Sequence, residues 1–117
     1  MDQDTAKYIV NYFSNLLTAE ERLAIRHTHS IIKLGLDSGQ VNNPKAINVY
    51  KKASWLSEDQ DILILLQDGY DSFELTVAER ILSQNPEVVF LNKCPNCSKL
   101  ARTPFAKQCR FCAHNWH

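Results

Sequence analysis

Apolar residues recur at helical spacing through most of the first 86 positions, the signature of amphipathic helices. In TAKYIVNYFSNLL, Tyr8, Ile9, Tyr12, Phe13, Leu16 and Leu17 fall three and four residues apart, which predicts a first helix with Asp4 as its N-cap. Thr18-Ala19-Glu20-Glu21 follows, a capping box in which the Thr and Glu side chains satisfy each other's free backbone N–H groups. The second helix carries Leu23, Ile25, Ile31, Ile32 and Leu34 as far as Gly35, and Leu36-Asp37-Ser38-Gly39 is turn chemistry. Asn43-Pro44 opens a third helix, with Asn as cap and Pro where its missing N–H costs nothing; Ile47, Val49, Tyr50 and Trp55 follow. Ser57-Glu58-Asp59-Gln60 reads as a second capping box before a short helix whose ILILL run is apolar on all sides, as in a central helix. A strand is the rival reading of those five residues, but the caps on both sides favour helix. Asp71 is placed to cap a last helix bearing Phe73, Val77, Ala78, Ile81 and Leu82, which Asn85-Pro86 ends.

Beyond Pro86 the pattern changes. EVVFLN is β-branched and aromatic, and reads as a strand leading into the first of four cysteines. The expected organisation is a mainly α chain: a helical domain of about five helices over 1–86 and a small metal module over 87–117.

Cys94-Pro95-Asn96-Cys97 and Cys109-Arg110-Phe111-Cys112 are separated by 11 residues, enough for a strand, a reversal at Thr103-Pro104 and a returning strand. Each Cys-x-x-Cys turn brings two thiolates to one side, and two such turns facing each other supply the four tetrahedral sulfurs that Zn²⁺ prefers. A redox dithiol would want one pair at a helix N-terminus with a lowered thiol pKa, and neither pair opens a helical pattern. A Cys₄ site can hold iron as well. With four cysteines in place no position is left open for a catalytic water, so the expected metal is structural Zn²⁺.

CPNC…CRFCAHNW resembles a short zinc ribbon, the double-knuckle module found at the ends of many bacterial proteins. The closing Cys-x-x-Cys-Ala-His-x-Trp is similar to the second knuckle of several ribbons, and the whole chain resembles small helical bacterial proteins of unknown function. The resemblance covers about a fifth of the chain. It implies a small C-terminal β zinc ribbon with Cys94, Cys97, Cys109 and Cys112 as ligands, and no activity. Ser98 and Ala113 stand where many ribbons have Gly, the residue that adopts a left-handed backbone freely. Either Ala113 is strained there or the turn differs.

Charge adds a second candidate. The chain is neutral, yet residues 1–86 hold 8 basic and 12 acidic side chains whereas 87–117 hold five basic ones and Glu87 alone. Arg102, Lys107 and Arg110, with Lys93 and Lys99, lie beside Phe105 and Phe111, an interleaving that suits a nucleic-acid strand. Zn²⁺ on four thiolates is a net dianion, however, and basic neighbours offset it. The helical body is acidic and offers the same cations another docking place.

Other candidates carry less. His114 and His117 adjoin the site but are expected outside the ligand set. Trp116 is expected to pack over its knuckle. His27 and His29 lie two apart on a helix and cannot converge on one ion. Glu58, Asp59 and Asp61 suit a helix N-terminus by the dipole alone. The acidic N-terminus and the short ILILL run exclude a signal peptide and a membrane span, and paired cysteines suit a reducing cytoplasm.

The expected protein is therefore a non-catalytic, cytoplasmic zinc protein acting as a protein-interaction or adaptor module. Its partner surface would include Tyr70, Phe105 or Phe111. The alternative is nucleic-acid binding through the basic face of the ribbon, and a homo-oligomer through the apolar fourth helix is open.

Overall fold

The computed structural model of the protein describes residues 1–35, 44–53 and 55–116. Five α-helices lie among them: α1 (Gln3–Tyr12), α2 (Ala19–Leu34), α3 (Pro44–Lys52), α4 (Gln60–Leu65) and α5 (Tyr70–Gln84), with a 3-10 turn at Ser14–Leu16. The chain is mainly α, as its periodicity predicts. No helix of the described residues is long and apolar enough to cross a membrane.

Contacts divide the chain into two compact units, Met1–Leu16 with Glu74–His117, and Leu17–Phe73. In the second, α2 packs against α3 and α4. The Thr18 capping box forms in full: the Glu21 N–H donates to Thr18 Oγ1 at 3.2 Å, and the Thr18 N–H donates to Glu21 Oε1 at 2.8 Å. Gly35 ends α2 in the left-handed conformation, φ 72°, where a Cβ would be strained. Ala24, Leu56, Ile62 and Phe73 are buried, and the rings of Tyr50 and Trp55 meet edge to face at 5.1 Å. His27, expected to be an ordinary helix residue, is buried and accepts the Ser57 N–H on Nδ1 at 2.9 Å. Burial lowers its pKa.

Several predicted ends and faces move. The cap of α1 is Asp2, whose carboxylate accepts the Thr5 N–H at 2.8 Å; Asp4 sits inside the first turn. The box expected at Ser57 does not close. Asp59 caps α4 by accepting the Asp61 N–H, while Ser57 Oγ accepts the Asp59 N–H in a local turn. Asp71 lies in the first turn of α5, which opens with the Phe73 N–H on the Gly69 carbonyl at 3.1 Å. The ILILL helix is not sheathed on all sides. Ile62 is buried, but Ile64 and Leu65 are 54% and 40% exposed, because a helix of six residues turned onto α2 hides one face. The turn expected at Leu36–Gly39, the expected Asn43 cap and His117 lie outside the described residues.

The first unit joins α1 and the Glu74–Gln84 part of α5 to the cysteine segment. Ala6, Ile9, Val10, Val77, Ala78, Ile81 and Val89 supply its apolar core. Arg80 Nη2 donates to the Leu16 carbonyl at 3.2 Å, and Gln3 Nε2 to the buried Glu74 at 2.8 Å.

The strand predicted for EVVFLN is absent, and no strand occurs among the described residues. The N–H groups of Val88 and Val89 turn back onto the Asn85 carbonyl at 3.1 Å each, closing a turn after α5. Residues 89–92 then lie with Val89 and Asn92 buried and Phe90 exposed. Buried positions three apart do not follow the period of two that a strand would show. The predicted ribbon reduces to two isolated antiparallel bridges, Lys93 with Leu100 and Gln108 with Asn115.

Candidate metal centre

The two bridges stand 15 positions apart, and so do three pairs of backbone bonds around them. The Cys94 N–H donates to the Lys99 carbonyl at 2.9 Å, and the Cys109 N–H to the His114 carbonyl at 2.8 Å. Ser98 donates to Cys94 at 2.8 Å and Ala113 to Cys109 at 3.0 Å; Ala101 donates to Asn92 at 2.7 Å and Trp116 to Lys107 at 2.8 Å. Two copies of one turn therefore face each other, although no sequence repeat announces them. Only the cysteine spacing is shared, because the backbone makes the turn and the other side chains are free to differ.

Each turn closes through a left-handed residue. Ser98 has φ 65° and Ala113 φ 63°. Neither residue is glycine, so each carries the cost of a left-handed backbone.

The four sulfurs of Cys94, Cys97, Cys109 and Cys112 lie within 4.8 Å of one another. Cys94 Sγ is 3.7 Å from Cys112 Sγ, and Cys97 Sγ is 3.5 Å from Cys109 Sγ. A disulfide needs about 2.05 Å, and all four are free thiols. Four thiolates at about 2.3 Å from one tetrahedral ion stand roughly 3.8 Å apart. The donor set and its spacing fit a metal.

Backbone N–H groups are aimed at the sulfurs. Cys94 accepts from Asn96 and Cys97 at 3.4 and 3.5 Å, and Cys109 from Phe111 and Cys112 at 3.3 and 3.5 Å. Asn96 crosses between the turns, its Nδ2 reaching Cys112 Sγ at 3.6 Å. Such donors favour the thiolate over the thiol. The N–H of His114, with the Asn96 amide, brings Cys112 down to about 6. At Cys97 the N–H of Lys99 acts in the same sense, but burial and the neighbouring sulfurs outweigh it and push that thiol up to about 11. Cys94 and Cys109 are buried and Cys112 is exposed, so the cluster opens to solvent on the second turn.

His114 is exposed and is not part of the sulfur cluster. No cluster of potential ligands other than the four cysteines is found among the described residues. The His114 ring stacks on half-buried Trp116 at 6.3 Å and 15°. Glu58, Asp59 and Asp61 gather no site: Glu58 pairs with Lys51 at 3.0 Å, and Asp59 is a helix cap.

The expected contact residues divide. Phe105 is 83% exposed and Phe111 51%. Lys99 Nζ and the Arg110 guanidinium both stand over the Phe111 ring, at 4.7 and 4.9 Å from its centre, and Arg110 reaches Asp4 of α1 at 4.0 Å. Arg102 and Arg110 line one cleft with Lys7 and Tyr12 of α1. Lys107 is exposed. Tyr70 is half-buried with its ring 5.6 Å from Phe73.

Sequence reasoning did not single out Tyr8 or Asn92, although the Tyr8 hydroxyl donates to the Phe90 carbonyl and accepts the Asn92 N–H beside the cysteine segment. Tyr8 reads there as one more core aromatic, and only its fold partners reveal the hydroxyl's task. No protein-family model matches the chain, and no curated protein or solved structure is detectably similar to it.

Proposed function

We propose that the protein is a non-catalytic zinc protein of the cytoplasm, in which Cys94, Cys97, Cys109 and Cys112 hold a structural Zn²⁺, and that the unit so organised is a protein-interaction or adaptor module. The observation that carries this reading is the sulfur cluster: four thiols whose sulfurs lie within 4.8 Å of one another would fill the four positions of a zinc ion. The metal would supply cross-linking of two short turns that bury little apolar surface. Its binding energy would be part of the folding energy of that segment.

Exposed aromatic surface supports the interaction role. Val88, Phe90, Phe105 and Phe111 remain outside the core of the unit, and exposed aromatics of this kind are what partner surfaces use. Homo-oligomerisation through Ile64 and Leu65 of α4 is a further form of the same reading.

Nucleic-acid binding is the second reading, and the cleft shared by Lys7, Arg102 and Arg110 favours it. Against it, Arg110 and Lys99 already have local partners in Asp4 and Phe111, so they are less available to phosphates.

Two measurements test the proposal. Elemental analysis of the purified protein should find one zinc per chain; iron, or no metal, would overturn the zinc assignment. Fluorescence anisotropy against single- and double-stranded DNA and RNA should show no binding at low salt. Binding that weakens steeply with salt and is lost in Arg102→Glu would replace the adaptor reading with the nucleic-acid one.

A further inference from the structure

Tyr8 lies in the middle of α1 and is buried, yet its hydroxyl serves the cysteine segment. It donates to the Phe90 carbonyl at 2.6 Å and accepts the Asn92 N–H at 3.2 Å. Burial raises its pKa, so the hydroxyl keeps the proton it donates.

Asn92 in turn ties together the first turn and the loop that follows it. Its carbonyl accepts the Ala101 N–H at 2.7 Å, which closes the first turn. Its side-chain amide donates to the Thr103 carbonyl at 2.9 Å and to the Ala106 carbonyl at 2.8 Å, which holds the loop between the two turns. Asn92 is buried and stands two residues before the ligand Cys94. One tyrosine and one asparagine thus join a helix, the first cysteine turn and the loop leading to the second.

We infer that Tyr8 and Asn92 are positioning residues for the metal centre, and that through them metal binding and the docking of α1 stabilise each other. The inference rests on reading the four cysteines as metal ligands. Losing the Tyr8 hydroxyl leaves the buried Asn92 N–H without its acceptor and frees the chain leading into Cys94. Loss of a partner that orients metal ligands typically weakens metal binding ~10–100-fold. Tyr8 acts through the backbone, so the lower end, about tenfold, is expected. Coupling of two binding events is reciprocal, so metal must protect α1 by a corresponding factor.

The test uses the full-length chain with Co²⁺ and Zn²⁺ as probes. Wild type should take up Co²⁺ with the intense visible and charge-transfer bands of a four-thiolate site; without those bands the metal reading itself falls, and this inference with it. Given the bands, Tyr8→Phe should keep their positions while binding Zn²⁺ about tenfold more weakly in chelator competition. Asn92→Ala should weaken binding at least as much. Lys51→Ala, which removes an ion pair with Glu58 in the other unit, should leave affinity unchanged. Hydrogen exchange should show the α1 amides slowing when Zn²⁺ is added to wild type and slowing less in Tyr8→Phe. Tyr8→Phe with wild-type zinc affinity and an unchanged α1 response would overturn the inference, even if its melting temperature fell. That pattern would make the hydroxyl a packing detail.

Discussion

Ala113 and Ser98 give a direct way to weigh the backbone of the metal site. Both have positive φ, 63° and 65°, and both side chains are exposed, so a substitution there changes conformational energy with little loss of packing. An L-residue held left-handed costs about 1–2 kcal/mol. Glycine removes that cost, but frees the unfolded chain and returns about 0.4–1 kcal/mol. Ala113→Gly should therefore stabilise the metal-loaded protein by about 0.5–1 kcal/mol. If the turn closes only around the ion, that gain appears as a zinc affinity roughly two- to fivefold higher. Ser98→Gly should act in the same direction, and the two should add, since they lie in separate turns. Ala113→Val is the opposing control, because a β-branched residue fits the left-handed region worst. The assay is chelator competition for zinc together with thermal melting of the loaded protein. Were Ala113→Gly to lower both quantities, as glycine does at an ordinary position, the left-handed turn would not exist in the metal-bound molecule, and the likeness of the two turns would fail with it.

Further expectations follow from the two units. Cys97→Ser or Cys109→Ser should abolish stoichiometric zinc and unfold the 87–117 segment, with any loss of far-ultraviolet circular dichroism confined to the ten residues of α1. Melting of α2–α4 at the same time would make the two units one cooperative body. His27 should make Leu17–Phe73 acid-sensitive. Its folded pKa is lowered by burial, so the stability it contributes is present above the unfolded value of about 6.5 and declines as pH falls from there towards the folded pKa. Protonation would also place a donor against the Ser57 N–H. Thermal melts from neutral pH to about pH 5 should show a shallower loss in His27→Asn, which keeps an acceptor that does not titrate; an unchanged slope would assign the acid sensitivity to other groups.

Much of the helical body was legible because its signals are local. The Thr18 capping box, the Gly35 stop and the Pro44 start depend on residues within one turn of each other, and all three stand in the structure. Asp4 and Ser57 are misplaced caps for a related reason. Several acids and hydroxyls sit side by side at those starts, and which one caps depends on where neighbouring packing lets the first turn begin. The ILILL run shows the limit of composition. Its apolarity does not say how many neighbours a helix will have, and Ile64 and Leu65 remain exposed.

The amino-acid sequence by itself determined the donor set: four cysteines, paired at a spacing that turns both thiols of each pair to one side. It also drew attention to Ser98 and Ala113, and the structure added that both hold a positive φ. Tertiary structure alone decided how the two turns face each other, which sulfurs are buried, and that the metal segment belongs with α1. Those features depend on hydrogen bonds such as Tyr8 to Phe90 and Asn92, between residues 82 and 84 positions apart. A contact over such a distance leaves no periodicity in the chain. Its geometry exists only once the intervening helices have folded and returned the backbone to the same place.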